Sequence, residues 1–547
     1  MPDILRRNFL LSSLALLAPR TSSAASARID ILPDEPIGTI SPNIYGHFTE
    51  HLGGCIYDGI WVGETSKISN VGGIRKELID NLKRLKPPVI RWPGGCFADS
   101  YNWRDGVGPR KERPKRTNFW ANTPYLKKAP DGPQKYDPNE FGSNEFARLC
   151  KAVGAEPYFA ANLRSLTARD FYEWIEYCNS PAGTTSGAEL RAKGGDANPF
   201  PVKFWGVGNE SWGCGGGFTG DEYAVEFRRF SEWVPQLDVD LSFIASGPNV
   251  ADYAWTHSFL QKLTEKGRGA LRRVFGLALH YYCGTTGKGV ATEFDDAGWY
   301  ELLQKASVME ELVTNHWAVM KEFDPQRRVK LAVDEWGAWH ETDPSINPSY
   351  LFAYFPTLRD ALVSGITLDI FNRHADKIAM ANAAQLVNNI HTSFVAEGDR
   401  FTVTPVFHVF EMYAAHQGGT AVRTSLAADY LPPVPEHHRG PEGNSATTPA
   451  HGLAGLSGSC SIQGKQAVLT VVNPDLKNVT ETEIIVRAAR IASAKATVLT
   501  AGDVHAHNSF DQPKALEPKT DENVNAGSPF VYRFAPASVT KLELSLS

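Results

Sequence analysis

Short apolar runs recur along the first 372 residues, and segments of helical spacing lie between them. The runs cover residues 43–48, 88–92, 157–162, 202–208, 241–247, 275–279, 329–333 and 366–371. Each has the length of a strand. Ile74, Leu78, Leu82 and Leu85 fall on one helical face. Val308, Leu312 and Val319 mark another, widened by Met309, Val313 and Met320. Such alternation predicts a parallel sheet with right-handed crossovers, and eight units are the count that closes a (β/α)8 TIM barrel. An open doubly wound sheet is the alternative. No G-x-G-x-x-G follows the first run, which removes that fold's usual nucleotide-binding reason.

The pattern changes near residue 400. Residues 406–416 read as a helix, and 432–449 as a polar, proline-rich stretch. Residues 467–472, 482–486, 496–499 and 538–544 then alternate as strands of an antiparallel, jelly-roll-like β-sandwich. Residues 29–32 are placed to add a strand to it. The expected class is therefore α/β: a catalytic barrel over 41–400, with a linking helix and sandwich over 401–547, joined by the strand in 28–40. A chain of 547 residues is too long for one ordinary core, which agrees with this division.

Residues 1–27 read as a targeting segment. Arg6-Arg7 precedes the apolar run 10–18, and Ala25-Ser26-Ala27 offers small residues for cleavage. The pair of arginines resembles a twin-arginine export signal, with an ordinary secretory signal as the alternative. Either predicts a periplasmic or secreted protein. The apolar run is too short to span a bilayer, so no membrane association is expected. The formal net charge of −6 is spread along the chain, which excludes a basic nucleic-acid surface. Seven cysteines without a close C-x-x-C leave at least one thiol unpaired and argue against a disulfide framework or zinc ribbon.

Polar residues gather where the predicted strands end: Glu50, Asn162, Asn209, Glu210, His280, Tyr282, Glu335 and Asn372. In a barrel those ends form one rim, where catalytic groups sit. Glu210 and Glu335 stand out because two carboxylates flanking one bond are the minimum equipment for glycoside hydrolysis. One acid must be protonated to assist the leaving oxygen, while the other attacks the anomeric carbon. Asn209 is placed to bond a sugar hydroxyl beside that carbon. The bland reading, in which each acid pairs with a cation near a strand end, weakens for two acids at matched ends beside Trp212, Trp336 and Trp339. His47-Phe48-Thr49-Glu50-His51 spells H-x-x-E-H, a zinc-peptidase pattern. It follows a strand rather than lying on a helix, so no metal is expected there.

The stretches YGHFTEHLGGCIYDGI (45–60), RWPGGCFADSYNWRDGVGPR (91–110), FWGVGNESWGCGG (204–216), LALHYYCG (277–284), LAVDEWGAW (331–339), AAQLVNNI (383–390), TPVFHVFEMYAAHQGG (404–419) and VLTAGDVHAHNSFDQPKALEP (498–518) carry a resemblance. Together they resemble glycoside hydrolase family 51, the α-L-arabinofuranosidases. The resemblance implies a retaining enzyme without cofactor, with Glu210 as general acid/base and Glu335 as nucleophile. It implies release of terminal arabinofuranose from arabinan, arabinoxylan or their oligosaccharides. Glu50, Asn209, Tyr282 and Gln385 would hold the furanose hydroxyls, Trp339 would wall the pocket, and His280 would buttress the nucleophile region. Cys96 stands where well-known members place an Asn that contacts sugar. Homo-oligomers, often hexamers, are common in the family. An endo-acting β-1,4-glucanase or xylanase, and a non-catalytic carbohydrate-binding protein, are the competing readings.

Overall fold

The computed structural model describes residues 25–235, 237–284, 289–432 and 452–547. Strand β1, Ala27–Thr39, precedes the barrel and joins another sheet. Eight parallel strands then close on themselves in chain order: β2 Gly46–Phe48, β3 Val89–Trp92, β4 Glu156–Ala161, β5 Phe204–Val207, β6 Ser242–Ala245, β7 Val274–Cys283, β8 Lys330–Ala338 and β9 Ile378–Ala383. All four residues of β3, β5 and β6 are buried. This explains their largely apolar runs, interrupted by Arg91 in β3 and Ser242 in β6: inner side chains fill the barrel and outer ones meet the helices. Helix α1, Lys76–Leu85, buries Leu78, Leu82 and Leu85 of the predicted face together with Ile79, while Ile74 lies before it in a two-residue strand. Helix α2, Met309–Phe323, buries Met309, Leu312, Val313 and Met320.

The eighth apolar run is not a strand. Residues 366–371 lie inside helix α3, Leu358–Arg373, in which every residue from Leu358 to Asn372 is buried. A helix covered on all sides loses its amphipathic period, so its sequence reads like a buried strand. The strand that closes the barrel follows it as β9. Asn372 accordingly sits in a helix rather than on the catalytic rim.

Past helix α4, Pro405–Tyr413, the chain builds β10 Thr420–Ala427, β11 Ser457–Gln463, β12 Gln466–Asn473, β13 Thr480–Val486, β14 Ile491–Leu499, β15 Lys519–Val524, β16 Phe530–Phe534 and β17 Ser538–Leu546. With β1 they form nine strands in the order β15-β14-β17-β12-β11-β10-β1-β13-β16. Ile29, Leu469, Ile484, Ala496, Phe530 and Leu542, from strands across this order, share one core. The sheet therefore folds over on itself. One pairing departs from the antiparallel expectation: β1 runs parallel to β13. The part of the proline-rich stretch over 433–449 lies outside the described residues. Among the described residues, no helix is long and apolar enough to cross a membrane.

Helix α3 joins barrel to sheet through a buried polar network. Asp369 accepts hydrogen bonds from Ser459 Oγ at 2.7 Å, Thr470 Oγ1 at 2.5 Å and Tyr413 OH at 2.9 Å. Asn372 accepts from Tyr45 OH and donates to Ser459 Oγ. Burial pushes the Asp369 carboxyl up to about 7, against the pull of its hydroxyl donors. The folded state thus binds a proton that the unfolded chain has released above about 4. The resulting stabilisation is full below that point and is lost as pH rises toward 7. Asp369→Asn removes this dependence. The stability advantage of the wild type over the variant should shrink by up to about 4 kcal/mol between pH 4 and pH 8, as read by denaturant unfolding.

Candidate active site

The C-terminal ends of the barrel strands place the two acids side by side. Glu335 lies in β8, opposite His280 of β7, just after a break in that ladder. Such breaks re-aim side chains. Glu210 follows the end of β5 with φ +38°, a left-handed backbone unusual for a residue with a side chain. His280 Nδ1 lies 3.1 Å from Glu210 Oε1 and 3.4 Å from Glu335 Oε2. One oxygen of each carboxylate and a ring nitrogen of His280 all fall within 4.8 Å of one another. The acids that the sequence separates by half a barrel therefore face one space.

Donors surround Glu335. Arg91 Nη1 donates to its Oε1 at 2.8 Å, and Tyr282 OH donates to its Oε2 at 2.9 Å. Arg91 also donates through Nη2 to Asn209 Oδ1 at 2.6 Å, so one guanidinium orients both the acid and the amide. The other ring nitrogen of His280 is 3.0 Å from Asp334 Oδ1, and Tyr158 OH donates to Asp334 Oδ2 at 2.7 Å. Burial opposes charge on His280, but the Glu335 and Asp334 carboxylates outweigh it and push the imidazole up to about 10. Burial likewise opposes charge on Asp334, yet Arg91 and His280 hold its carboxyl below the usual range. The cationic form of His280 is thus favoured, set between carboxylates with both nitrogens engaged.

Glu50 forms the opposite wall. Its Oε1 accepts from Phe97 N at 3.0 Å and Trp120 Nε1 at 3.2 Å, and its Oε2 from Gln385 Nε2 at 3.2 Å. Burial, reinforced by the Glu335 charge, pushes Glu50 up to about 7. Gln385 Oε1 is buried without a hydrogen-bond partner among the described residues, leaving an acceptor for a hydroxyl donor. Trp339 packs edge-on against Tyr282 and Phe352 and stands half-buried at the mouth. Between Glu50 and Glu335 lies Gly95. A Cβ there would sit 2.9 Å from Glu335 Oε1 and 3.4 Å from Glu50 Oε2. Gly95→Ala should therefore lower kcat/KM by about 10- to 100-fold, since a displacement near 1 Å at the reacting groups costs that much. Steady-state kinetics, with a melting curve to confirm folding, checks this.

The remaining residues divide. Cys96 is bonded to Cys214, 118 positions along the chain. Their sulfurs lie 3.6 and 3.5 Å from Glu210 Oε2. A disulfide sulfur has no proton to donate, so this is a packed contact. The other five cysteines are free and buried. A single bridge with five free thiols agrees with the expectation of unpaired cysteines and no disulfide framework, and a spacing this long carries no local signal for the bridge itself. Asn162 spends its amide on Tyr101 O and Ser165 Oγ. His47 meets Ser393, and His51 meets Asp137, so the H-x-x-E-H residues serve separate surroundings. Arg91, Asp334, Tyr158 and Trp120 were not singled out from sequence. Arg91 carried a signal: a charged residue within an apolar strand run requires buried partners.

This geometry has relatives. A family model described as alpha-L-arabinofuranosidase 1 domain matches residues 81–282, and one described as alpha-L-arabinofuranosidase C-terminal domain matches 334–538. An intracellular exo-alpha-L-arabinofuranosidase of Bacteroides ovatus is 35% identical over 545 residues, covering 98% of this chain and 99% of its own. The GH51 arabinofuranosidase structure from Xanthomonas axonopodis pv. citri superposes with TM-score 0.83 at 32% identity, over 95% of this chain and 100% of that one. The arabinose complex of the Thermotoga maritima alpha-L-arabinofuranosidase gives 0.80 at 30% identity with the same coverage. The expectation of export is corrected by the Bacteroides relative, which is described as intracellular and aligns along nearly its whole length. Two arginines before a short apolar run form a pattern of low information, and residues 1–24 lie outside the described residues. Matched along almost its full length by such relatives and structures, the chain is a glycoside hydrolase and belongs to the α-L-arabinofuranosidases of glycoside hydrolase family 51.

Proposed function

We propose that the enzyme removes terminal α-L-arabinofuranosyl residues from arabinan, arabinoxylan or their oligosaccharides by double displacement with retention. The observation that carries this reading is the approach of the Glu210 and Glu335 oxygens to within 4.8 Å. Retaining glycosidases hold their carboxyl groups about 5–5.5 Å apart, whereas inverting ones leave about 6.5–9.5 Å for a water. In the first step a Glu335 oxygen bonds to the anomeric carbon as the glycosidic C–O bond breaks. Glu210 gives its proton to the departing oxygen. In the second step Glu210 takes a proton from water, the water oxygen bonds to the anomeric carbon, and Glu335 leaves. Arg91, Tyr282 and His280 keep Glu335 aimed throughout. Glu50, Asn209 and Gln385 hold the sugar hydroxyls, and Trp339 walls the mouth.

The printed name of the Bacteroides ovatus relative includes exo action, which supports attack at chain ends. A product profile on branched and debranched arabinan and on arabinoxylan tests the proposal. Release of monomeric arabinose from side chains, with the backbone left long, is the expected outcome. Shortened backbone without free arabinose would contradict it.

A further inference from the structure

Glu210 holds a backbone conformation that its own residue type disfavours, so something outside it must fix that geometry. The amides on either side of it are both clamped by side chains. Ser246 Oγ accepts from Ser211 N at 3.1 Å, and Asp99 Oδ2 accepts from Asn209 N at 3.1 Å. The second clamp reaches further. Asp99 Oδ1 also accepts from Leu163 N at 2.8 Å. One carboxylate therefore ties the ends of β4 and β5 together from the loop after β3. Asp99 is fully buried, and burial pushes its carboxyl up to about 7, against the pull of the backbone N–H groups and the neighbouring Arg164. Arg164 itself spends its Nε on the Asp99 carbonyl rather than on the carboxylate. A buried carboxylate is costly unless it is hydrogen-bonded, and here both oxygens are committed to backbone N–H groups at the strand ends.

We infer that Asp99 is a positioning residue for the acid/base step: by clamping the Asn209 amide it sets where the Glu210 carboxyl meets the leaving oxygen. The inference rests on the acid/base role proposed for Glu210. Two features separate it from a general packing role. The Asn209 side chain has its own tether in Arg91, so loss of Asp99 leaves that hydroxyl-binding amide held. Glu335 and its donors Arg91 and Tyr282 make no contact with the Asp99 carboxylate among their hydrogen bonds, so the nucleophile keeps its supports. The damage should fall on proton transfer to the leaving group.

The test compares Asp99→Asn with the wild type on two arabinofuranosides, one with a dinitrophenolate leaving group and one with an alkoxide. The first needs little protonation and the second depends on it. The expected result is a drop of about 100-fold in kcat/KM on the alkyl substrate, with less than about a 3-fold drop on the dinitrophenyl one. The ratio of the two rates does not depend on how much enzyme is folded, so it remains readable if Asp99→Asn is unstable. Equal losses on both substrates, or none on either, would overturn the inference. Glu210→Ala run beside it distinguishes the two failures. If Glu210→Ala discriminates between the substrates and Asp99→Asn does not, Asp99 alone is misassigned. If neither discriminates, the acid/base assignment fails and the inference falls with it.

Discussion

Glu335→Ala is expected to lower kcat by about 10⁴-fold or more on every arabinofuranoside, whatever its leaving group. In the proposed mechanism this carboxylate attacks the anomeric carbon, and its neighbours hold it ready to do so. Arg91, Tyr282 and His280 are all donors or cations and cannot take its place. Good leaving groups do not help, because the bond to carbon still has to form. The variant should fold, and its melting curve should show it. Removing the carboxylate leaves Arg91 short of one partner, but Asp334 and Asn209 still engage that guanidinium. Steady-state rates on aryl and alkyl arabinofuranosides measure the effect. Residual activity that rises steeply with leaving-group acidity would contradict the assignment.

Glu210→Ala should behave differently. On alkyl or sugar leaving groups the loss should be about 10²- to 10⁴-fold, the usual worth of a positioned general acid. On dinitrophenyl arabinofuranoside the first step should remain fast. Water would then lack its base, so the arabinosyl-enzyme accumulates and a burst of phenol precedes a slow steady state. Stopped-flow absorbance reads both phases. A uniform loss on all leaving groups, with no burst, would show that the proton comes from elsewhere. His280, the nearest alternative, has its nitrogens engaged by carboxylates, which makes that outcome unexpected.

Much of this was legible in the residues. Seven of the eight barrel strands and most of the two helical faces follow from the spacing of apolar positions, because burial on one or both faces writes that spacing; Ile74 falls before its helix and Val319 is half-buried. The eighth strand was hidden by α3, whose complete burial erases the helical period. The pair Glu210 and Glu335 was visible because acids at the ends of apolar strands have no packing reason to be there. Their supports were harder to see. Nothing in the local sequence marks Asp334 or Asp99; their importance lies in contacts across the barrel, to His280 and to the Asn209 amide. The Cys96–Cys214 bridge was invisible for the same reason, since closure of the barrel brings its two loops together. The N-terminal pattern misled because a dozen residues can satisfy an export motif without any fold to test it.

The central claim is that two carboxylates share one anomeric centre at a spacing that leaves no room for water between them. The most direct test is the configuration of arabinose in the first moments of hydrolysis, followed by proton NMR before mutarotation. The account predicts that the α-anomer appears first and the β-anomer only later, by equilibration. Initial appearance of the β-anomer would contradict it.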